Sequence, residues 1–299
     1  MKEQPRVYII ILNYNNYPDT LECIESVLKL NYTNKKIIVI DNDSPNHSGE
    51  YISKWLKEKN YTQIIFTKSA KNLGYAGGNN IGIKQALQDQ QMEYVWILNN
   101  DTIVDEYALE ALIKKAKESP NIGICGSKLI YDWDRTKIQG YGGTYNKWLA
   151  AVGTITDEKQ IKNMDYVIGA SMLIKREVLE TVGLLGEDYF LFFEELDYAQ
   201  RIKGKYTLAC ATNSIVYHKE GASIGAKASE PKKTSYISDY YTIRNRILIT
   251  KRYFPYCLPT VYLGLLIAIF NRIRRKQYDR IKMIVNLVFG KDNQMENKK

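Results

Sequence analysis

Residues 94–101 read Tyr94-Val95-Trp96-Ile97-Leu98-Asn99-Asn100-Asp101, an apolar run that stops at two amides and a carboxylate. A run without polar alternation predicts a strand buried on both faces, as in parallel sheets covered by helices. The same shape recurs upstream. Residues 7–12 (VYIIIL) end at Asn13-Tyr14-Asn15, and residues 36–41 (KIIVID) end at Asp41-Asn42-Asp43-Ser44. Residues 63–67 (QIIFT) and 122–129 read as two more strands. Helical patterns over 20–30, 49–59, 80–90 and 106–117 fall between them. Strands alternating with helices predict an α/β fold with a parallel sheet. Ligands of open α/β sheets bind beyond the carboxyl ends of strands, so the three polar exits predict one mouth of one site. Any one exit alone is equally well a turn or a helix cap, which Asn, Asp and Ser favour.

Downstream the pattern changes. Residues 131–168 read as irregular or β-rich, punctuated by Gly140, Gly142 and Gly143. Residues 175–182 and 194–204 read as helical and 207–217 as a strand. Residues 222–233 read as a loop, and the sequence from 235 onward as helical.

Of 299 residues, 45% are hydrophobic and 25% charged, which excludes disordered, collagenous and disulfide-scaffold classes. Four scattered cysteines without a CxxC pair exclude a zinc ribbon and suit buried thiols in a reducing compartment. The N-terminal MKEQPRVYIIILNYNN lacks a signal-peptide pattern, and a cytosolic domain is expected. Residues 244–299 carry 13 basic and 3 acidic side chains, so the net charge of +9 belongs to the C-terminal segment. Such a segment favours an anionic surface. No nucleic-acid-binding motif accompanies the charge, so lipid is expected rather than nucleic acid.

The glycine segment Asn72-Leu73-Gly74-Tyr75-Ala76-Gly77-Gly78-Asn79-Asn80-Ile81-Gly82 contains no GxGxxG, and no GxxxxGK[ST] occurs in the chain. A dinucleotide-binding oxidoreductase and a P-loop enzyme are thereby disfavoured. Its glycines still allow close backbone approach to a ligand, and a helix starting near Gly78 or Asn79 would offer free N–H groups. Asp101 after Asn99 and Asn100 can hold a hard divalent cation bridging two phosphates, or can merely cap the next helix. His218 ends an apolar strand and can complete such a site with Asp101. Glu194, Glu195 and Asp197 follow the aromatic run 189–193. A half-buried carboxylate among like charges has a raised pKa, which suits a general base. Asp197 and Arg201, spaced i,i+4, can instead simply pair.

In order along the chain, these pieces resemble family 2 glycosyltransferases of the GT-A fold, especially the rhamnosyltransferase and galactofuranosyltransferase-like branch. The resemblance covers roughly residues 5–220. It rests on Asn13-Tyr14-Asn15, the Val39-Ile40-Asp41-Asn42 exit, the 72–82 segment, Asn99-Asn100-Asp101, Gly169-Ala170-Ser171-Met172, Glu194-Glu195-Leu196-Asp197 and His218. It implies a Rossmann-like, mostly parallel sheet flanked by helices. The implied catalytic domain spans 1–233, with a nucleotide half over 1–128 and an acceptor half over 129–233. A helical segment over 234–299 follows.

The resemblance also implies roles. Asp41 would contact a pyrimidine base. Asn13, Tyr14, Asn15, Asn72, Gly74, Gly77, Gly78, Asn79, Asn99 and Asn100 would line the donor. Gly169, Ala170, Ser171 and Arg201 would line the donor and acceptor pocket. Asp101, at the last position of the family's DXD, and His218 would bind Mg²⁺ or Mn²⁺. Glu195 would be the base, flanked by Glu194 and Asp197. Asn99 departs from the first Asp of DXD, and Glu195 from the usual Asp. The implied reaction is inverting transfer from a pyrimidine-nucleotide sugar to a glycan or lipid-linked glycan in surface-polysaccharide synthesis. The 72–80 segment favours dTDP-rhamnose over a UDP-hexose or UDP-galactofuranose-type donor. A catalytically silent sugar-nucleotide-binding scaffold subunit is the rival reading, and a homo-oligomer is compatible with either.

Residues 256–270 (YCLPTVYLGLLIAIF) carry no charge, and 15 residues fall short of the ~20 of a membrane-spanning helix. Arg272, Arg274, Arg275, Lys276, Arg280 and Lys282 follow, interleaved with Ile273, Ile281, Met283 and Ile284. This predicts attachment through 256–284 to an anionic membrane surface, on the inner face of the cell membrane.

Overall fold

The structure, a computed structural model, describes residues 4–219 and 235–291; the loop expected at 222–233 lies outside the described residues. The nucleotide half runs β1 (Arg6–Asn13), α1 (Tyr17–Leu28), β2 (Lys35–Asp41), α2 (Ser48–Glu58), β3 (Ile64–Lys68), α3 (Gly74–Leu87) and β4 (Met92–Asn99). There follow β5 (Thr102–Val104), α4 (Ala108–Ala116), β6 (Ile122–Tyr131), β7 (Ile138–Gly140), β8 (Gly142–Asn146) and β9 (Ala151–Ile155). Then come β10 (Ser171–Lys175), α5 (Arg176–Val182), α6 (Glu194–Ile202) and β11 (Thr207–His218). The C-terminal segment is α7 (Tyr236–Tyr253), α8 (Leu258–Arg274) and α9 (Tyr278–Val288).

The main sheet has the order β3-β2-β1-β4-β10-β6-β11-β5, with β7 paired to β6. The first four strands are parallel, as expected. The sheet as a whole is mixed, because β10 enters antiparallel between β4 and β6. β10 is not among the strands expected from the sequence; its five residues run straight into α5. The apolar runs are buried on both faces. Ile9, Ile11, Val39, Trp96 and Leu98 face one cluster, while Tyr8, Ile10, Ile38, Ile40, Val95 and Ile97 face the other. This is the alternation that a strand covered on both sides must show.

Helix α3 begins at Gly74, before the expected start at 78–80. Glycine is a poor helix former, which hid the start. Packing explains the glycines. A Cβ on Gly78 would lie 2.5 Å from Leu12, and one on Gly82 would lie 2.8 Å from Ile10. The helix therefore lies closer to β1 than any side chain would permit.

Residues 131–168 are β-rich as expected, with β8 and β9 forming a separate hairpin. The helical stretch Pro255–Arg274 is 20 residues long, and is long and apolar enough to cross a membrane, unlike the shorter uncharged run read from sequence. Its inner face packs on α7 and α9 through Tyr240, Ile243, Ile247, Leu265, Met283, Ile284 and Leu287. Asp239 of α7, almost fully buried, pairs with Arg272 of α8 at 2.5 Å and with Arg280 of α9 at 3.1 Å. The expected boundary at 233 separates residues that share a core: Ile249 of α7 packs with Tyr166, Tyr189, Phe193 and Leu196.

Candidate active site

The three polar strand exits meet. Asn13 Nδ2 donates to Asp41 Oδ1 at 2.7 Å, and Ser44 Oγ donates to the same oxygen at 2.6 Å. Asn13 Oδ1 accepts from Thr20, and Asn100 Nδ2 donates to Thr20 Oγ1 at 2.9 Å. One buried chain of hydrogen bonds thus ties β1, β2 and the end of β4 through the first turn of α1. Parallel pairing of Asn13 with Asp41 sets the two side by side. Gly49, in the first turn of α2, lies over Asp41, where an added Cβ would sit 2.6 Å from Oδ2. The helix N-terminus there favours the negative charge. Asn15 adopts a left-handed backbone at φ 60°, and its N–H donates to Ser44 Oγ. Tyr14 beside it is half-buried.

Asn42 holds the glycine segment. Its Nδ2 donates to Asn72 Oδ1 and to the Gly74 carbonyl, and its Oδ1 accepts from Leu73 N–H. Asn72, Gly74, Gly77, Gly78 and Asn79 therefore line the start of α3 rather than a free loop. Asn79 is fully buried, with Oδ1 lacking a partner.

Asp101 and His218 are brought together by antiparallel pairing of β5 with β11, in which His218 faces Thr102. Oδ1 of Asp101 lies 3.1 Å from Nε2 of His218, and both residues are buried. Nδ1 of His218 lies 2.9 Å from Oε1 of Gln139 on β7, so Nδ1 donates there. Nε2 is then the nitrogen left to meet a proton or a metal ion in front of Asp101. Removal from water works against the Asp101 charge, but the hydrogen bond from His218 holds its carboxyl below the usual range. A carboxylate oxygen and an imidazole nitrogen suit Mn²⁺ and, less well, Mg²⁺. Among the described residues no third His, Cys, Asp or Glu joins them, so these residues fit an ion that substrate oxygens help to hold.

Glu194 and Glu195 open α6. One carboxylate oxygen of each is buried without a hydrogen-bond partner. Burial pushes Glu195 up to about 7, against a hydrogen bond from its own backbone N–H. Burial and then the Glu195 charge push Glu194 well above the usual carboxylate range. Tyr75, in the first turn of α3, reaches the turn before α6, its N–H donating to the Phe190 carbonyl at 2.6 Å. Its hydroxyl donates to the Gly169 carbonyl at 2.6 Å. Desolvation, then the charges of Glu194, Glu195 and Asp101, hold its proton on.

The turn before α6 is strained. Phe190, Phe192 and Phe193 adopt left-handed backbones at φ 60°, 67° and 73°. Bulky residues avoid this region, at a cost of about 1–3 kcal/mol each.

Four expected positions serve other ends. Asp197, expected beside the glutamates as a catalytic carboxylate, is taken up by Tyr189, Arg201, Arg252 and Tyr253 at 2.7–3.1 Å. Four donors, two of them guanidinium groups, therefore already engage this carboxylate. Arg201, expected in the pocket, straps Asp197 and the carbonyls of Val182 and Leu184. Ser171 points into the sheet, where Trp96 Nε1 donates to its hydroxyl and Ser127 adjoins it. Ala170 contributes only its carbonyl, to Asn99 N–H at 3.0 Å.

Sequence reasoning missed Gln139, Tyr75 as a link, Asn245 and Arg252. The last two sit in a segment read as a basic tail. Only their spacing on a helix with buried polar positions could have marked them.

The fold is shared with solved glycosyltransferases. The mannosyltransferase PcManGT from Pyrobaculum calidifontis, solved with GDP-Man and Mn²⁺, superposes with a TM-score of 0.59 at 14% identity, covering 99% of this chain and 89% of that one. Truncated TarS from S. aureus, solved with UDP-GlcNAc, gives 0.54 at 14% identity over 81% of this chain and 66% of that one. These likenesses show a GT-A fold. In sequence, the low-salt glycan biosynthesis hexosyltransferase Agl10 of Haloferax volcanii is 22% identical, over 97% of this chain and 91% of its own. The poly-β-1,6-N-acetyl-D-glucosamine synthase of Staphylococcus aureus is 32% identical over 58% of this chain, which spans only 40% of the synthase. Residues 8–183, more than half of the chain, match the family described as Glycosyl transferase family 2, and the chain belongs to that family.

Proposed function

We propose that the protein is an inverting, metal-dependent transferase that moves a sugar from a pyrimidine-nucleotide donor to a glycan or lipid-linked glycan in surface-polysaccharide synthesis. The observation that carries this reading is Glu195. It is half-buried in the first turn of α6, its Oε2 has no partner, and burial poises its proton affinity near neutrality. A base so tuned can take a proton from an acceptor hydroxyl at physiological pH. The freed oxygen attacks the anomeric carbon, forming the new glycosidic bond as the bond to the nucleoside diphosphate breaks. Asp101 and His218 are the residues that would hold a divalent ion, whose chemistry is to neutralise charge on the departing diphosphate. Neighbours solved with GDP-Man and Mn²⁺ and with UDP-GlcNAc support a nucleotide-sugar donor. The 72–80 segment favours dTDP-rhamnose, and a UDP-sugar is the alternative.

Calorimetry with dTDP, UDP and GDP, each with and without Mn²⁺, tests the site. Metal-dependent binding of one pyrimidine nucleotide supports it and selects the donor class. Absence of binding by both pyrimidine nucleotides overturns it and favours a scaffold role.

We also propose that the protein sits on an anionic membrane, at the inner face of the cell membrane, through α8 and its neighbours. Leu263, Leu266, Ile267 and Phe270, on the outer face of α8, are each about 60% exposed. Trp148 and Leu149, at the β8–β9 turn, are half exposed beside them, and the Trp148 and Tyr256 rings lie 5.9 Å apart. Tryptophan and tyrosine next to a basic run favour the membrane interface. The packing of the inner face on α7 and α9 supports a helix lying on the bilayer rather than crossing it. Co-sedimentation with phosphatidylglycerol vesicles at low salt, lost in Leu266→Glu/Phe270→Glu, is the expected result. A wild-type protein left in the supernatant overturns the idea.

A further inference from the structure

We propose that Asn245 of α7 is a positioning residue for Glu195: it clamps the strained aromatic turn from which the glutamate is projected. The inference rests on the reading of Glu195 as the base. The buried oxygens left unpaired on Glu194 and Glu195 mean that hydrogen bonds do not hold these ends of the two carboxylates. Their positions are inherited from the backbone. Glu194 and Glu195 are the first two residues of α6, and Phe193, just before them, is one of three phenylalanines in the left-handed region. Such a turn persists only where its surroundings over-determine it.

Asn245 supplies that restraint. It is fully buried, and its Nδ2 lies 2.9, 2.8 and 2.9 Å from the carbonyls of Tyr189, Leu191 and Phe192. Two hydrogens are shared among three carbonyls, all pulled toward one nitrogen. The side chain is itself held, since Arg244 Nη1 donates to Asn245 Oδ1 at 2.9 Å and to the Asp188 carbonyl at 2.7 Å. On the other side of the turn, Tyr75 N–H donates to the Phe190 carbonyl at 2.6 Å, and the Phe190 ring stacks on Tyr241. The turn is thus pinned between the nucleotide half and the C-terminal segment. A helix needed only for packing would bury an apolar residue here, because a buried amide is costly unless its hydrogen bonds are made. The C-terminal segment therefore completes the catalytic apparatus, in addition to any membrane contact it makes.

The test compares Asn245→Ala and the milder Asn245→Ser with wild type in the full chain. Both should keep nucleotide affinity within about threefold. The alanine variant should lose on the order of 10²-fold in kcat, the scale of a misplacement near 1 Å, with acceptor KM little changed. Serine, which keeps one donor, should lose less. The acid limb of the kcat–pH profile should move downward from near 7 as water reaches Glu195, a shift that a purely structural lesion would not produce. Amide exchange in 189–193 should rise while β1 and β4 stay protected. Wild-type exchange in that turn, or kcat within threefold of wild type in a folded Asn245→Ala, overturns the proposal. If wild type shows no transfer at all, the assignment of Glu195 fails instead, and exchange alone then decides whether Asn245 clamps the turn.

Discussion

Asp197 Oδ1 lies 3.0 Å from Nη1 of Arg252, joining the helix of the two glutamates to the C-terminal segment by a buried carboxylate. Arg201, one turn along the same helix, takes the other oxygen at 2.8 Å. Asp197→Ala leaves two guanidiniums and two phenols facing an empty site. Removing one partner of a buried pair costs about 3–5 kcal/mol, and the partial exposure of both arginines lowers this to about 2–3 kcal/mol. Thermal unfolding should show a fall of several degrees. Donor affinity measured on the folded fraction should be unchanged, because Asp197 touches no substrate in this reading.

Glu195→Gln should bind donor as wild type does and lose transfer by about 10²–10⁴-fold. In wild type, kcat should rise with pH through about 7, because the base works only when ionised. The same shift has a stability consequence of opposite sense. The folded state holds the Glu195 proton to about 7 and the unfolded chain only to the ordinary glutamate value of about 4.3. Folding therefore binds a proton in that window, and stability from this group falls as pH rises across it. Denaturant titrations from pH 4 to 8 should show a shallower decline in Glu195→Gln than in wild type.

The fold was legible because its apolar runs are long and their polar exits abrupt. Residues 36–41 and 94–99 announce strands buried on both faces, and both pack as such. The pairing of Asp101 with His218 was also readable, because Asp101 follows closely on a strong strand and His218 ends another. What sequence could not supply was the occupation of polar groups by long-range partners. Asp197 looks like Glu195 in a string, and only the fold brings Arg252 and Tyr253 to it from more than fifty residues away. The early start of α3 escaped because glycine's low helix propensity is overridden by tight packing on β1. Asn245 escaped because the carbonyls it holds lie more than fifty residues away along the chain.

The metal-capable pair can be taken apart in two steps. Asp101→Ala and His218→Ala should each abolish the Mn²⁺ dependence of nucleotide binding measured by calorimetry. Gln139→Ala leaves both ligands in place but frees the imidazole to rotate and change tautomer. Loss of such an outer partner typically lowers metal affinity by 10–100-fold, so a rightward shift of the Mn²⁺ activation curve by about that factor is expected, at unchanged saturating rate. A Gln139→Ala enzyme with a wild-type Mn²⁺ curve would remove Gln139 from the site.

Gly74 tests the aromatic turn from the side opposite Asn245. Its φ is +70°, and an added Cβ would lie 2.2 Å from the Phe190 carbonyl oxygen, which is backbone and cannot swing aside. Gly74→Ala must therefore both strain its own backbone and push Phe190 away from Tyr75. Gly204, just beyond α6, has a similar φ of +84° but nothing within 4 Å of its Cβ position. Gly204→Ala carries the conformational cost alone, about 1 kcal/mol, and should retain activity. Gly74→Ala adds the clash and should cost about 2–4 kcal/mol with a loss of kcat of at least tenfold. If the two variants lost stability and turnover equally, the close approach of Gly74 to Phe190 would have no part in setting the glutamates, and the turn would be held from the α7 side alone.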